Sequence, residues 1–333
     1  MSPDRLAPGL EGADDVVLPF SVEALDVRGR AIRLGPALDA LLTRHAYPDP
    51  VARVIGEATA LTALLGSSLK FDGRFQLQTK SDGAITMIVV DYDAPDRLRA
   101  YARFDAERLA ALGPSPRPGE LLGHGILALT IDQGTDASRY QGVVALEGQG
   151  FAEAAHQYFR QSEQIPTRVR LAVAEAYAEG RRSYRAGGVL IQFLPSSPER
   201  ARAADLPPGD APEGHPGRDG TETGEDNSWL EAKALVDTVE DHELVDPSVS
   251  SERLLYRLFH ERGVRVFEPA PMREECRCSR ERIMLMLRNF PAQDRQDMVG
   301  ENGRIGVTCE FCSRVYDLDP VEVEREAAEP EPG

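Results

Sequence analysis

The sequence lacks long apolar segments: no stretch approaches the roughly 18 uninterrupted apolar residues that a membrane-spanning helix needs. Residues 1–20 lack a basic segment followed by an apolar one, so we expect no secretory signal and place the chain in a reducing cytoplasm. Positive charge is also scarce, since 38 Lys and Arg stand against 55 Asp and Glu, for a formal net charge of −17. An acidic surface repels phosphate, and we therefore expect neither nucleic acid nor a membrane as a partner.

The sequence also carries little that indicates catalysis. Its six histidines are scattered, and it has no glycine-rich phosphate loop and no nucleophile elbow. We therefore expect no enzyme activity. What the sequence does have is length and apolar content: 333 residues, of which 41% are hydrophobic, suffice for about two domains with a buried core.

Cysteine is rare, and its four copies are grouped. Cys276, Cys278, Cys309 and Cys312 form a Cys-x-Cys pair and a Cys-x-x-Cys pair about thirty residues apart. In a reducing compartment this spacing is typical of a four-thiolate zinc site, in which each short pair supplies two ligands of a tetrahedron. Cysteines at positions i and i+2 of a plain strand point to opposite faces, so a local bend must turn the first pair towards one metal. We predict one Zn²⁺ per chain in the reduced state.

Three other interpretations of the cysteines stay open on spacing alone. They could be four unrelated buried cysteines, or the zinc site could be purely structural. Cys309 and Cys312 could also form a thioredoxin-like redox motif. Such a motif opens a helix after a strand, whereas residues 305–308 and 314–316 flank these cysteines like the strands of a hairpin. Nearby arginines that could offset the negative charge of a metal–thiolate centre are Arg273, Arg277, Arg280, Arg282 and Arg314.

The remaining patterns predict an α+β protein with a mixed α/β N-terminal core domain, a helical linker and a small C-terminal zinc-binding domain. We expect the core over 1–194, a disordered insert rich in Pro, Gly and acids over 195–228, the linker over 229–271, the zinc-binding domain over 272–318 and an acidic tail over 319–333. Strands are predicted at 16–22, 74–79, 84–91, 98–104, 125–131, 140–146 and 189–193. Helices are predicted at 51–69, 151–161, 167–178 and 280–287, the last capped by Ser279.

The linker is expected to hold two amphipathic helices separated by Pro247. The first begins with Ser228-Trp229-Leu230-Glu231, a capping-box pattern, and the second ends near Gly263. They are either ordinary packed helices or a detachable cover whose apolar stripes can be exposed. In the second case the candidate residues that contact a bound protein are Trp229, Leu230, Leu235, Leu254, Leu255, Leu258 and Phe259.

Taken together, these motifs resemble the 33 kDa chaperonin family of redox-regulated holdase chaperones. The cysteine pairs match the pattern of that family, and so do four segments of the first domain. These segments are Tyr47-Pro48 leading to Leu69-Lys70-Phe71, Leu98-Arg99-Ala100-Tyr101-Ala102-Arg103, Tyr140-Gln141-Gly142-Val143-Val144, and Tyr158-Phe159-x-Gln161-Ser162-Glu163-Gln164-Ile165. The insert over 195–228 is a departure, because the usual members lack it.

The resemblance implies an ATP-independent chaperone of the heat-shock and oxidative-stress response, idle when reduced and zinc-loaded. Oxidation would join Cys276 to Cys278 and Cys309 to Cys312, release zinc and unfold the linker. The active form would be a homodimer that binds unfolded or misfolded client proteins. Two rivals make different predictions. A static zinc-ribbon interaction module would bind nucleic acid in a salt-dependent, redox-insensitive way, and a thiol-disulfide oxidoreductase would turn over in an insulin-reduction assay.

Overall fold

The chain folds into two compact units, and the expected α+β class is confirmed. The computed structural model describes residues 14–68, 73–133, 139–178, 180–195 and 226–328. The larger unit holds residues 1–43 and 47–274, and the smaller unit holds residues 44–46 and 275–333. The linker therefore belongs to the same unit as the core domain. Within the described ranges, no helix has the length and apolar character to cross a membrane.

Two largely antiparallel sheets form the larger unit. Their strands are β1 (Val16–Val22), β2 (Val27–Leu34), β3 (Arg74–Ser81), β4 (Ile85–Asp93), β5 (Arg97–Phe104), β6 (His124–Asp132), β7 (Tyr140–Glu147), β8 (Thr167–Ala178), β9 (Arg181–Phe193), β10 (Arg265–Val266), β11 (Ala270–Pro271) and β12 (Arg273–Glu274). The first sheet has the order β10-β1-β2-β9-β8, with β11 also pairing with β1. The second sheet has the order β12-β5-β4-β3-β6-β7, in which only the short β12 runs parallel to its neighbour.

One helix is the centre of the main core. The helices of this part of the chain are α1 (Pro36–Thr43), α2 (Asp49–Gly66), α3 (Ala106–Ala111), α4 (Pro118–Leu122) and α5 (Phe151–Tyr158). Helix α2 packs against strands of both sheets, and Ile55, Leu61 and Leu64 on it are fully buried. A helix covered on several sides must be apolar on several sides, which explains why its sequence is the clearest helical signal in the chain.

Most of the predicted strands are confirmed, but residues 167–178 form strand β8 rather than the expected helix. The alanines there favour a helix, yet Val169, Leu171 and Val173 also alternate with a period of two. Pairing with β9 runs from Thr167 to Ala178 and decides the outcome. The helix expected over 151–161 ends at Tyr158 and continues as a wider π turn over 159–163. The sequence patterns do not predict β2 or α1.

The linker holds three helices: α6 (Asn227–Asp237), α7 (Asp241–Val245) and α8 (Ser251–Phe259). The carboxylate of Asp226 caps α6 by accepting a hydrogen bond from the backbone N–H of Ser228. The N-cap is therefore Asp226, two residues before Ser228, where the capping box was predicted. The short helix α7 was not expected. Of the predicted disordered insert, residues 196–225 lie outside the described ranges.

The smaller unit surrounds a small apolar cluster. Its elements are α9 (Arg280–Arg288), α10 (Ala292–Asp297), β13 (Ile305–Thr308), β14 (Val315–Leu318) and α11 (Pro320–Ala328). Ser279 caps α9, as predicted, by accepting a hydrogen bond from the backbone N–H of Arg282. The acidic tail expected over 319–333 is helical over 320–328. These residues form α11, because Val323 fills the cluster and is 1% exposed.

Candidate metal centre

The two cysteine pairs lie on two irregular segments of the smaller unit. Cys276 and Cys278 belong to the extended stretch ahead of α9, which has no regular secondary structure. Cys309 and Cys312 lie in the turn of the predicted hairpin, which is confirmed by the pairing of β13 with β14. The turn is closed by hydrogen bonds from the Cys309 N–H to the Arg314 carbonyl, 2.9 Å, and from the Ser313 N–H to the Cys309 carbonyl, 2.8 Å.

All four sulfur atoms lie within 4.8 Å of one another. The Sγ atoms of Cys276 and Cys309 are 3.7 Å apart, and those of Cys278 and Cys312 are 3.3 Å apart. A tetrahedral zinc site with Zn–S bonds of about 2.3 Å places its sulfurs about 3.8 Å apart. The bend that must turn the Cys-x-Cys pair to one side is therefore present. The donor set, four thiols with no competing carboxylate in the group, fits Zn²⁺.

The surroundings of the sulfurs favour the thiolate at Cys278 and the neutral thiol at Cys276 and Cys312. The Tyr316 hydroxyl donates a hydrogen bond to Cys278 Sγ at 3.2 Å. Burial raises the pKa of Cys278, but hydrogen bonds from Tyr316 and the other cysteines outweigh it and lower this pKa to about 7. Burial raises the pKa of Cys276 and Cys312 above the ordinary thiol value. Four thiols this close do not all ionise without a cation, so the cluster needs a metal to hold four thiolates.

The arginines near the cysteines divide into different roles. The positive charge of Arg314 interacts with Cys278 and Cys312, and its own pKa is raised, first by Tyr316 and then by these thiols. Arg280 instead pairs with Glu322 of α11 at 2.5 Å. Arg273 belongs to the larger unit and pairs with Asp96 at 3.1 Å. The expectation that these side chains offset the thiolate charge thus has direct support at Arg314.

The linker residues singled out in the sequence lie together on the outer face of the first sheet. Trp229, Leu254, Leu255, Leu258 and Phe259 are each at most 4% exposed, Leu235 is partly buried and Leu230 is 40% exposed. The sheet contributes a floor made of Leu18, Phe20, Val22, Val189, Ile191 and Phe193. Ring centroids of Phe20 and Phe259 are 5.8 Å apart, and those of Phe193 and Trp229 are 6.1 Å apart. This apolar floor is hidden only because the linker covers it.

Sequence patterns missed the polar contacts that hold the linker in place. Arg33, Arg168, Arg170 and Arg185, all on strands of the first sheet, donate hydrogen bonds to linker carbonyl or carboxylate oxygens. Hydrogen bonds between residues more than fifty positions apart cannot be predicted from a local sequence pattern. The only available signal was the concentration of acids over 237–246, which is compatible with a cationic partner. The close approach of the Leu244 backbone to Gly187 could not be predicted from the sequence either.

Comparisons with known proteins agree with the fold and with the cysteine cluster. A family model described as Hsp33 protein matches residues 15–319. The chain is 46% identical over 318 residues to the 33 kDa chaperonin of Caulobacter vibrioides, covering 95% of this chain and 98% of that protein. It is 37% identical over 305 residues to the 33 kDa chaperonin of Pseudomonas aeruginosa, covering 91% of each. The crystal structure of the 33 kDa chaperonin from Thermotoga maritima has the same fold, with a TM-score of 0.71 at 19% identity over 94% of this chain and 98% of that one.

These matches place the chain in a class of chaperones, as the resemblance in sequence implied. More narrowly, the chain belongs to the Hsp33 family. The four-cysteine cluster lies in the part of the chain that the family model covers, and α11 extends beyond it.

Proposed function

We propose that this protein is a redox-regulated, ATP-independent holdase that captures unfolding proteins in the cytoplasm under oxidative stress. In the reduced state Cys276, Cys278, Cys309 and Cys312 hold one Zn²⁺, and the linker covers the apolar floor of the first sheet. Oxidation leads to linker undocking and to binding of clients, with a homodimer as the active form. The observation that carries this proposal is the apolar floor, which is large and contiguous and is covered by a segment of the chain itself.

The metal, when bound, cross-links the two cysteine pairs and keeps all four sulfurs as thiolates. Among its described residues the smaller unit has a core of six buried apolar side chains, and domains of this size usually depend on a metal or disulfides. Structural zinc contributes about 10–16 kcal/mol to small modules, which is as much as the total stability of a typical domain, about 5–15 kcal/mol. Loss of the four ligands should therefore unfold the smaller unit.

The redox step needs an oxidant such as hydrogen peroxide. Each disulfide forms from two cysteine thiols with loss of two electrons and two protons, and one peroxide accepts them to give two waters. We assign the disulfides to near neighbours in sequence, Cys276 with Cys278 and Cys309 with Cys312. Each bond uses the sulfur atoms that ligate the metal, so oxidation and metal binding exclude each other.

The test combines composition with activity. Freshly reduced protein is expected to contain one zinc per chain and four titratable thiols, and peroxide treatment is expected to remove the metal and all four thiols. Only the oxidised form should suppress aggregation of a heat-unfolded test protein without ATP. Equal suppression by both forms would contradict the redox switch.

A substitution within the cluster tests the ligand assignment. Cys309→Ser should bind zinc weakly and show partial activity without oxidant, because three thiolates no longer complete the tetrahedron. Tight zinc binding and full inactivity in this variant would contradict the four-thiolate site. Turnover in an insulin-reduction assay would favour an oxidoreductase instead.

A further inference from the structure

One part of the linker is strongly acidic and lies directly over arginines of the first sheet. Residues 237–246, here called the acidic segment, contain five Asp or Glu and no Lys or Arg. Val239 and Leu244 in it are buried, at 1% and 2% exposed. The segment thus combines two buried apolar side chains with a high density of negative charge. Because it covers the first sheet, its composition indicates which chemistry the surface of that sheet binds.

Three arginines of the sheet use the acidic segment as their hydrogen-bond acceptor. Arg168 Nε donates to Asp237 Oδ1 at 2.6 Å. Arg170 Nη2 donates to the Val239 carbonyl at 3.0 Å and to Asp241 Oδ1 at 3.1 Å.

Arg33 is the third, and it donates to the carbonyls of Glu243 and Asp246 although it is only 4% exposed. Across the described ranges, every side-chain hydrogen bond of these three arginines ends on the acidic segment. A fourth arginine differs, because Arg185 donates to the Val245 carbonyl but also pairs with Asp14 of the larger unit.

Removal of the linker would leave these groups in an unfavourable state. Guanidinium groups at a surface that has lost its acceptors are poorly solvated where apolar side chains adjoin them. Arg185 keeps Asp14, but Arg33, Arg168 and Arg170 lose all the acceptors named above. The uncovered surface is therefore an apolar floor beside two cations, Arg168 and Arg170, that have lost their carboxylate partners, while Arg33 keeps the attraction of Asp14. Charge-assisted hydrogen bonds to carboxylates are the strongest replacement that a polypeptide offers.

We propose that the uncovered surface selects apolar client segments that carry acidic residues, and that the acidic segment is a built-in mimic of such clients. This inference rests on the proposed function, since it assumes that the linker undocks. The net charge of −17 does not oppose it, because charges further away than about 8 Å are largely screened at physiological salt. The arginines act at contact distance, where salt weakens the attraction without abolishing it.

Three synthetic peptides test the inference. All carry the sequence of residues 227–259. One is unchanged, one has the five acids of the acidic segment replaced by their amides, and one has them replaced by Lys. Binding to peroxide-treated, zinc-free full-length protein is followed by fluorescence anisotropy. The chain's own linker competes equally with each peptide, so the ratio of affinities is the quantity compared.

The unchanged peptide should bind up to about tenfold more tightly than the amide peptide, as expected for the two partly exposed charge pairs of Arg168 and Arg170, and the Lys peptide should bind most weakly. The preference should shrink as salt is raised. The double variant Arg168→Gln, Arg170→Gln should lose most of the preference. A matched control, Arg108→Gln with Arg139→Gln, removes the same charge at side chains 58% and 69% exposed and should keep it.

The outcomes separate this inference from the proposed function. Equal affinities for the three peptides would overturn the charge selection and leave the holdase intact. Failure to bind any peptide, in oxidised protein that still suppresses aggregation, would also overturn it, because clients would then use another surface. Oxidised protein that suppresses no aggregation would overturn the proposed function itself.

Discussion

Gly187 marks the closest approach of the linker backbone to the first sheet. A Cβ added there would stand 2.0 Å from the carbonyl oxygen of Leu244 and 2.7 Å from its carbonyl carbon. Gly187 lies within β9, where it pairs with Arg33 on β2 and with Ala172 on β8. Because strands on both sides fix this position, the substitution Gly187→Ala must displace α7 rather than the sheet.

The size of the effect follows from what the displacement breaks. Leu244 is 2% exposed, and the hydrogen bonds from Arg185 to the Val245 carbonyl and from Arg33 to the Asp246 carbonyl depend on the same backbone position. Burial of a leucine contributes about 1.5–3 kcal/mol and each hydrogen bond about 1 kcal/mol. Docking of this part of the linker should weaken by about 3–5 kcal/mol, a factor of roughly 10²–10⁴ in the docking equilibrium.

Reduced, zinc-loaded Gly187→Ala should therefore suppress aggregation of a heat-unfolded protein without oxidant, and amides over 237–246 should exchange faster than in the unsubstituted chain. Gly306→Ala is the matched control, because a Cβ at that strand position meets no atom within 4 Å. Zinc content must stay at one per chain in both variants. Full protection of 237–246 together with inactivity in Gly187→Ala would refute the claim that docking of the linker hides the client surface.

Further predictions concern stability. Val323→Ala should destabilise the smaller unit by roughly 1–3 kcal/mol by opening a cavity. Glu324→Gln should also destabilise this unit, because Arg295 loses its bidentate carboxylate partner. Both should speed zinc transfer to a chelator, and an unchanged rate would contradict a role of α11 in this unit. Burial, with Glu153 and Asp241 nearby, raises the pKa of Glu57 to about 7. The folded state therefore holds this proton more tightly than the unfolded chain, and stability should fall as pH rises from about 4.5 through 7. Glu57→Gln should raise the unfolding free energy by up to about 3 kcal/mol at pH 8 and leave it unchanged at pH 4; equal effects at both would contradict the assignment.

Local pattern was sufficient where burial is periodic. Helix α2 and strands β3, β4 and β5 beside it were predictable because each alternates or repeats in step with its own geometry. Strand β8 was not, because its alanines fit a helix and its alternating Val and Leu fit a strand, and only pairing with β9 decides between them. Helix α11 could not be predicted, because its many acidic residues are typical of an unpacked tail and a single buried side chain, Val323, packs it against the smaller unit.

The four-cysteine cluster was predictable because its members are closely spaced in two pairs. One residue separates Cys276 from Cys278 and two separate Cys309 from Cys312, so only the meeting of the two pairs had to be inferred. The Tyr316 contact to Cys278 and the arginine contacts to the acidic segment join residues far apart in the chain. The first depends on how the β13–β14 hairpin packs in the smaller unit and the second on how the linker lies on the first sheet, and no local pattern contains either.

The connection between metal and linker runs through the chain just before the first cysteine. Residues 265–274 add three two-residue strands to the two sheets, held by few bonds such as Arg273 N–H to the Asp96 carbonyl at 2.8 Å and Met272 N–H to the Asp15 carbonyl at 2.6 Å. Ordering each backbone residue costs about 1–2 kcal/mol, so strands this short depend on a fixed continuation of the chain, which the folded smaller unit provides two residues later at Cys276. Removal of zinc by a chelator should therefore raise amide exchange over 265–274 first and over 237–246 next, while β1 and β2 stay protected. Exchange over 237–246 that rises while 265–274 stays protected would show that linker release follows another route.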